Sequence, residues 1–306
     1  MSAAAAPSVV TVGTFDGVHR GHRLVLDRLV AAAKERSLRS VLVTFDPHPL
    51  VIVNPVAAPA LLTVGQEKHD VLAPRALDEI GVVPFTRELA ALEADQFVDQ
   101  ILIRQYGMRE LFIGHDHGFG RGRSGDAATL ERLGRDRGFR VHVVPAVDGR
   151  DGRPVSSTAI RRAIAGGDLA RAADGLGRPY SVSGTVAHGA ARGAALGFRT
   201  LNVETPGPAK LLPPDGVYAV RVVTQTGTFA GMLNLGGRPT FGDERRMIEA
   251  HLFDVNGDWY GQRVRVEFVA RIRDVKNFDG PEALIAQLRD DELAARLLLA
   301  RARAGA

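Results

Sequence analysis

Residues 8–36 read SVVTVGTFDGVHRGHRLVLDRLVAAAKER, and the order of textures along that stretch decides the fold. Ser8 to Thr14 is a short run rich in β-branched residues, the pattern of a buried strand. From His22 to Arg36, Leu24, Leu26, Leu29, Val30 and Ala33 recur at helical spacing. Between them lies Gly13-Thr14-Phe15-Asp16-Gly17-Val18-His19-Arg20-Gly21-His22. In an open α/β sheet, ligands bind where strands end. The helix that follows offers unpaired N–H groups and a partial positive charge to an anion. His19 and His22 are three apart, so they share a face of the first helical turn, and each can donate a hydrogen bond to phosphate. Gly17 and Gly21 let backbone and ligand approach closely. The glutamate of a His-Glu-x-x-His motif is absent, so a zinc protease is not supported.

Working outward, the alternation continues. Strands are predicted at 39–45, 80–85, 110–114 and 139–145, with helices near 66–77, 93–106 and 126–137. This pattern implies βαβ units and a mostly parallel, Rossmann-like sheet. Two helical segments follow, at 156–165 and 168–176. After Gly177-Arg178-Pro179 the texture changes to short β-rich runs at 180–188, 216–224, 228–235, 247–254 and 263–272. Turn signals such as Pro213-Pro214-Asp215-Gly216 separate them, which reads as an antiparallel barrel or sandwich. A helix at 280–302 closes the chain, with Leu284, Ile285, Leu288, Leu293 and Leu297 expected to pack on the β layer. The boundary between domains is placed at about 178–184.

The chain has 306 residues, 45% hydrophobic and 24% charged, the composition of a soluble globular protein of two domains. No apolar run is long enough to span a bilayer, and the Ala-rich start lacks the features of a secretory signal. There is no Cys, so disulfides and thiolate sites are excluded, and a cytoplasmic setting fits. Net charge is only +4, with no block of like charges to suggest a nucleic-acid or membrane partner. Lysine occurs only at 34, 68, 210 and 276, never after Gly, which rules out a Gly-Lys-Ser/Thr phosphate loop.

A second anion cradle is legible further on. Ser156, Ser157 and Thr158 precede the helical Ile160-Arg161-Arg162-Ala163-Ile164. Three hydroxyls and helix N-terminal amides can hold phosphate, and Arg161 adds a fixed positive charge.

These motifs together resemble one family. Thr14 to His22 is similar to the opening signature of the bacterial bifunctional riboflavin kinase/FMN adenylyltransferases, also called FAD synthetases. Thr44-Phe45-Asp46-Pro47-His48-Pro49, Gly114-His115-Asp116-His117-Gly118-Phe119-Gly120 and Val155-Ser156-Ser157-Thr158-Ala159-Ile160-Arg161 resemble its later motifs, in order. The resemblance implies an N-terminal nucleotidyltransferase domain over 1–180 and a C-terminal riboflavin kinase β-barrel with a terminal helix over 181–306. It implies that riboflavin is phosphorylated to FMN with ATP, and FMN adenylylated to FAD with release of pyrophosphate. His19, His22 and Arg161 are then the catalytic residues of adenylyl transfer. Gly13, Phe15, Asp16, Gly21, Asp46, Asp116, Ser156, Ser157 and Thr158 are its binding residues. Asp46-Pro47-His48-Pro49 also reads as a rigid exit from a strand.

In the second half, Gly184 to Phe198 is a strand running into a Gly-rich loop, with Gly189, Gly193 and Gly197 able to expose N–H groups to phosphate. Arg199-Thr200-Leu201-Asn202 follows. This resembles the flavokinase loop, which normally ends Gly-Phe-Pro-Thr-Ala-Asn; here Arg199 and Leu201 depart from it, and Ala194 stands where a basic residue is often found. Thr200 and Asn202 match the family's Mg²⁺-holding positions, and hard oxygen ligands suit that cation. Asn234 and Arg238, in Asn234-Leu235-Gly236-Gly237-Arg238-Pro239-Thr240, belong to the kinase resemblance. So does Glu249 in Glu249-Ala250-His251-Leu252-Phe253-Asp254, implied as general base for the ribityl hydroxyl. The departures raise an alternative, an adenylyltransferase with a weakened or regulatory kinase module. Expected partners are riboflavin, FMN and ATP, in a monomer or weak homo-oligomer.

Overall fold

A computed structural model of the chain describes residues 5–115, 118–188, 198–204, 207, 209–237, 246–255 and 257–304. It forms two compact units, Met1–Ser157 and Thr158–Ala306.

In the first unit the elements are β1 (Ser8–Val12), α1 (Arg20–Arg36), β2 (Arg39–Asp46), α2 (Pro49–Val53), α3 (Gln66–Leu72), β3 (Glu79–Pro84), α4 (Arg87–Ala90), α5 (Ala94–Phe97), β4 (Met108–Gly114), α6 (Ala127–Arg137) and β5 (Arg140–Val144). The helix expected over 93–106 is instead α5 running into a π-helical stretch, Val98–Gln105. The five strands form a parallel sheet in the order β3-β2-β1-β4-β5. The order reverses between β1 and β4, and that switch point is where open α/β sheets bind ligands. Both faces of the sheet are covered. Val9, Leu42 and Phe112 pack with Val25, Leu26 and Leu29 of α1. Their neighbours Val10, Val41, Val43, Leu111 and Ile113 pack with Phe97, Val98, Leu102 and Leu130 on the other side. Burial on two faces explains why these strands read as continuous apolar runs rather than alternating ones.

The second unit takes in most of α7 (Ser157–Ala165) and all of α8 (Leu169–Leu176). It continues with β6 (Tyr180–Ala187), β7 (Leu201–Glu204), β8 (Gly216–Val223), β9 (Thr228–Gly237), β10 (Arg246–Leu252), β11 (Arg263–Arg273) and α9 (Pro281–Ala304). The strands close into a barrel in the order β10-β7-β6-β11-β8-β9, all neighbours antiparallel. The barrel is therefore the correct choice between barrel and sandwich, and β7 is a strand that the sequence pattern did not announce.

The first half of the terminal helix packs as expected, with Leu284 and Ile285 half-buried and Leu288 against the core, but its second half does not. Leu293 and Leu297 are 62% and 55% exposed, whereas Asp291, Ala295 and Leu299 are buried. The cause is polar. Arg273, at the end of β11, bonds both carboxylate oxygens of Asp291 (Nε–Oδ1 2.8 Å, Nη2–Oδ2 2.7 Å), and Gln287 adds a bond at 3.0 Å. This pairing puts the 291–295–299 row against the barrel and turns Leu293 outward.

One glycine tests the β6–β7 packing. A Cβ at Gly184 would press on the carbonyl oxygen of Glu204 and come within 2.7 Å of a Val203 methyl. Gly184→Ala is expected to destabilise the second unit by about 1–3 kcal/mol, the usual cost of overpacking. Urea denaturation followed by the near-ultraviolet signal of Trp259 reads it, and an unchanged midpoint would contradict this account of the packing.

Candidate active sites

The first site grows from the turn after β1. Gly13 extends the ladder, its N–H donating to the Val43 carbonyl at 3.0 Å. The chain then takes positive φ angles at Phe15 (46°), Gly17 (79°) and Val18 (40°). Positive φ at a β-branched residue is strained, and such strain concentrates at functional loops. Non-local bonds hold it. The buried Asp16 carboxylate accepts from the N–H groups of Leu62 (3.0 Å) and Thr63 (2.9 Å), and from the Thr63 hydroxyl at 3.3 Å. The Gly17 N–H in turn donates to that hydroxyl at 3.0 Å.

The histidines follow on α1. His19 is the N-cap, its Nδ1 accepting the His22 N–H at 3.3 Å. Nδ1 is thereby the acceptor, so in the neutral ring the proton rests on Nε2, which is a donor. The His19 and His22 rings stack at 3.6 Å between centroids, 16° apart in plane, and Phe15 lies 4.6 Å from His22. A Cβ at Gly21 would sit 3.2 Å from the His19 ring, so glycine permits the stack. Two imidazolium ions so close disfavour each other, and a phosphate between their charges and the helix N-terminus offsets that repulsion. The Ser157 hydroxyl donates to the Asp16 carbonyl at 2.9 Å, which brings the last residue of the first unit to the same loop.

The remaining expected residues of this site are placed as follows. Ser156 is half-buried and Thr158 exposed; Arg161 lies one turn into α7, half-buried. Asp46 is exposed at the end of β2, and the His48 ring caps α2 by accepting the Leu50 N–H at 3.2 Å. Asp116 lies outside the described residues. Lys68, which the motif reading passed over, stands at the carboxyl ends of β1 and β2. Its Nζ donates to the Thr14 carbonyl at 2.9 Å and to the Thr44 hydroxyl at 3.4 Å. Burial pushes its pKa below the usual lysine value, and the charges of Asp16 and Asp46 oppose that shift. Its rarity was the available signal, since the chain has only four lysines.

Asp16 acts as an anchor for the 62–63 segment. Asp16→Ala leaves the Leu62 and Thr63 N–H groups buried without their acceptor, at a cost of about 1–3 kcal/mol. The variant is expected to melt earlier, and thermal unfolding checks this. An unchanged melting temperature would show the anchor to be dispensable.

The second site is a row across the barrel. Glu249 of β10 pairs with Asn202 of β7 on one side and with Asn234 of β9 on the other. Directly opposed residues project from the same face, here the one opposite Ile248, Ala250 and Leu252. Asn202 is buried, Glu249 half-buried and Asn234 exposed, so the row grades from interior to solvent. Asn202 Oδ1 is buried with no hydrogen-bond partner among the described residues. A buried, unsatisfied carbonyl oxygen beside a carboxylate suits a hard cation. Thr200 precedes β7 and is half-buried. The His251 Nδ1 donates to the Arg199 carbonyl at 2.7 Å, and Phe198 meets the His251 ring edge-on at 5.2 Å. Gly189, Gly193, Gly197 and Arg238 lie outside the described residues.

A family model described as FAD synthetase matches residues 1–159, and one described as riboflavin kinase matches 176–299. The bifunctional riboflavin kinase/FMN adenylyltransferase of Escherichia coli (strain K12) is 39% identical over 94% of this chain and 91% of its own. The protein of the same name from Pseudomonas fluorescens is 38% identical over 95% of this chain and 93% of its own. A crystal structure described as a macrolide-efflux protein from Streptococcus pneumoniae is 32% identical, with TM-score 0.86, covering 95% of this chain and 94% of that one. Among the described residues of this chain, no helix is long and apolar enough to cross a membrane.

Proposed function

The chain belongs to the bifunctional riboflavin kinase/FMN adenylyltransferase family, and on that premise we propose how its own residues divide the two reactions. Residues 1–180 carry adenylyl transfer and residues 181–306 carry phosphorylation. The observation that weighs most is the stacked His19–His22 pair, capping a helix at the sheet's switch point.

In adenylyl transfer, a phosphate oxygen of FMN attacks the α-phosphorus of ATP. The bond from that phosphorus to the bridging oxygen breaks, and pyrophosphate leaves. No covalent enzyme intermediate is needed, so the protein aligns two anions and stabilises charge on the transferring group. His19, His22 and the N-terminus of α1 supply donors to the triphosphate. Ser156, Ser157, Thr158 and Arg161 add hydroxyls, amides and a fixed charge. Gly13 and Gly21 permit close approach, and Phe15 supports the His22 ring. The family resemblance assigns Asp46 and Asp116 to substrate binding.

In phosphorylation, Glu249 accepts the proton of the ribityl hydroxyl, whose oxygen attacks the γ-phosphorus of ATP while ADP leaves. Thr200 and Asn202 would hold Mg²⁺, which supplies charge neutralisation between the phosphates; the unsatisfied Asn202 Oδ1 supports this. The family resemblance assigns Asn234, Arg238, Gly189, Gly193 and Gly197 to binding of the kinase substrates. Arg199 replaces a residue that stiffens the loop in the family. Here the His251 bond to its carbonyl and the Phe198–His251 contact hold the same backbone, which favours a working kinase over a weakened one. The setting is cytoplasmic, the chain a monomer or weak homo-oligomer, and its partners are riboflavin, FMN and ATP rather than nucleic acid or membrane.

Purified protein with riboflavin, ATP and Mg²⁺ tests the reading, products being separated by chromatography over time. FMN followed by FAD is expected. Use of supplied FMN alone would favour a kinase module without turnover, and no product at all would overturn the reading.

A further inference from the structure

Adenylyl transfer has an electrostatic difficulty that the histidine pair addresses on one side only. The attacking FMN phosphate and the ATP triphosphate are both anions, and they must meet at bonding distance. Each needs its own counter-charge, placed so that neither draws the other's donors away.

The segment that follows Asp16's contacts delivers one. Leu62 and Thr63 are stitched to the loop through Asp16, and the Glu67 carboxylate accepts the Val64 N–H at 3.1 Å, fixing the start of α3. The next residue, Lys68, is thereby carried across 54 positions of sequence to the Thr14 carbonyl. Its three N–H groups meet two neutral oxygens, those of Thr14 and Thr44, and no carboxylate within ion-pairing distance among the described residues. A partly buried cation held by neutral acceptors keeps most of its charge for a ligand. Thr14 belongs to the histidine loop and Thr44 to the strand that leads into Asp46-Pro47-His48-Pro49, so the ammonium stands between the two motifs.

We propose that Lys68 binds a phosphate oxygen of the reacting pair through its remaining N–H group, as the counter-charge that lets the two anions approach. The proposal rests on the adenylyltransferase reading above. FMN and ATP both present such an oxygen, and separate titrations tell them apart.

The test uses the full-length chain and its Lys68→Met and Lys68→Arg variants, with KM for FMN and for ATP measured in FAD formation. Lys68→Met is expected to raise one of them about ten- to hundredfold, the weight of a hydrogen bond to a charged group. A rise for FMN identifies the attacking phosphate as the ligand, and a rise for ATP identifies the triphosphate. Lys68→Arg keeps the charge and is expected to recover most of the loss. Riboflavin phosphorylation and the melting curve serve as controls and should not move. If Lys68→Met keeps both KM values, whether or not its melting temperature or kcat falls, the ammonium is only a strut between Thr14 and Thr44 and the proposal is overturned. Should Lys68→Met prove unstable, Lys68→Gln, which retains a donor to the same oxygens without charge, is read by the same criterion. Wild-type protein that makes no FAD would instead remove the underlying reading.

Discussion

His22→Ala is expected to lower FAD formation from FMN by about two to three orders of magnitude, the loss typical when one oriented donor to a transition-state oxyanion is removed, about 3–4 kcal/mol. The expectation follows from geometry. His22 stacks on His19 at 3.6 Å, and its own backbone N–H is the group that His19 Nδ1 caps. The alanine variant keeps that N–H, so the cap survives and the helix with it. What disappears is the ring proposed to donate to the triphosphate, and with it the face on which His19 is held. The effect should fall on kcat more than on KM for ATP, because charge builds on the transferring group as the bond to pyrophosphate breaks. Riboflavin phosphorylation should be unchanged. Near-normal FAD formation by a folded His22→Ala protein would remove the histidine pair from the chemistry.

His19→Ala makes an instructive contrast. It removes both a donor and the N-cap of α1, so lost activity there would mix chemistry with a helix-end cost of about 1 kcal/mol. His22 is therefore the cleaner probe, although the two rings look equivalent in the sequence.

That inequality marks the limit of what the chain reveals before it is folded. The βαβ order was legible because apolar burial on both faces writes itself into local runs, as in Val41-Leu42-Val43. The histidine pair was legible because helical spacing is local. What escaped depends on partners distant in sequence. Asp16 looks like a ligand-binding carboxylate in its motif, yet its oxygens are occupied by residues 46 and 47 positions away. Lys68 has no local pattern to announce it. β7 is only four residues long and follows a Gly-rich run, so no alternation could build up. In the second half of α9 the hydrophobic count favours Leu293 and Leu297, while the buried Arg273–Asp291 pair decides which face turns inward.

The row Asn202–Glu249–Asn234 is the same lesson at a site, and it yields the sharpest mutational contrast. Each residue lies in its own motif, and only the antiparallel register sets them side by side. Glu249→Gln is expected to abolish FMN formation from riboflavin while sparing FAD formation from supplied FMN. The exchange is nearly isosteric, so the ladder and the Ile248–Ala250–Leu252 face should stay intact. The amide, however, cannot accept the proton of the attacking hydroxyl at neutral pH. General-base loss alone typically costs two to four orders of magnitude. A second penalty comes from Asn202, whose buried Oδ1 would face an uncharged neighbour, weakening any cation held between them. Measured side by side on one preparation, the two activities should separate cleanly. Their joint loss in a folded Glu249→Gln protein would mean that the barrel row also governs adenylyl transfer, which nothing in its register provides for.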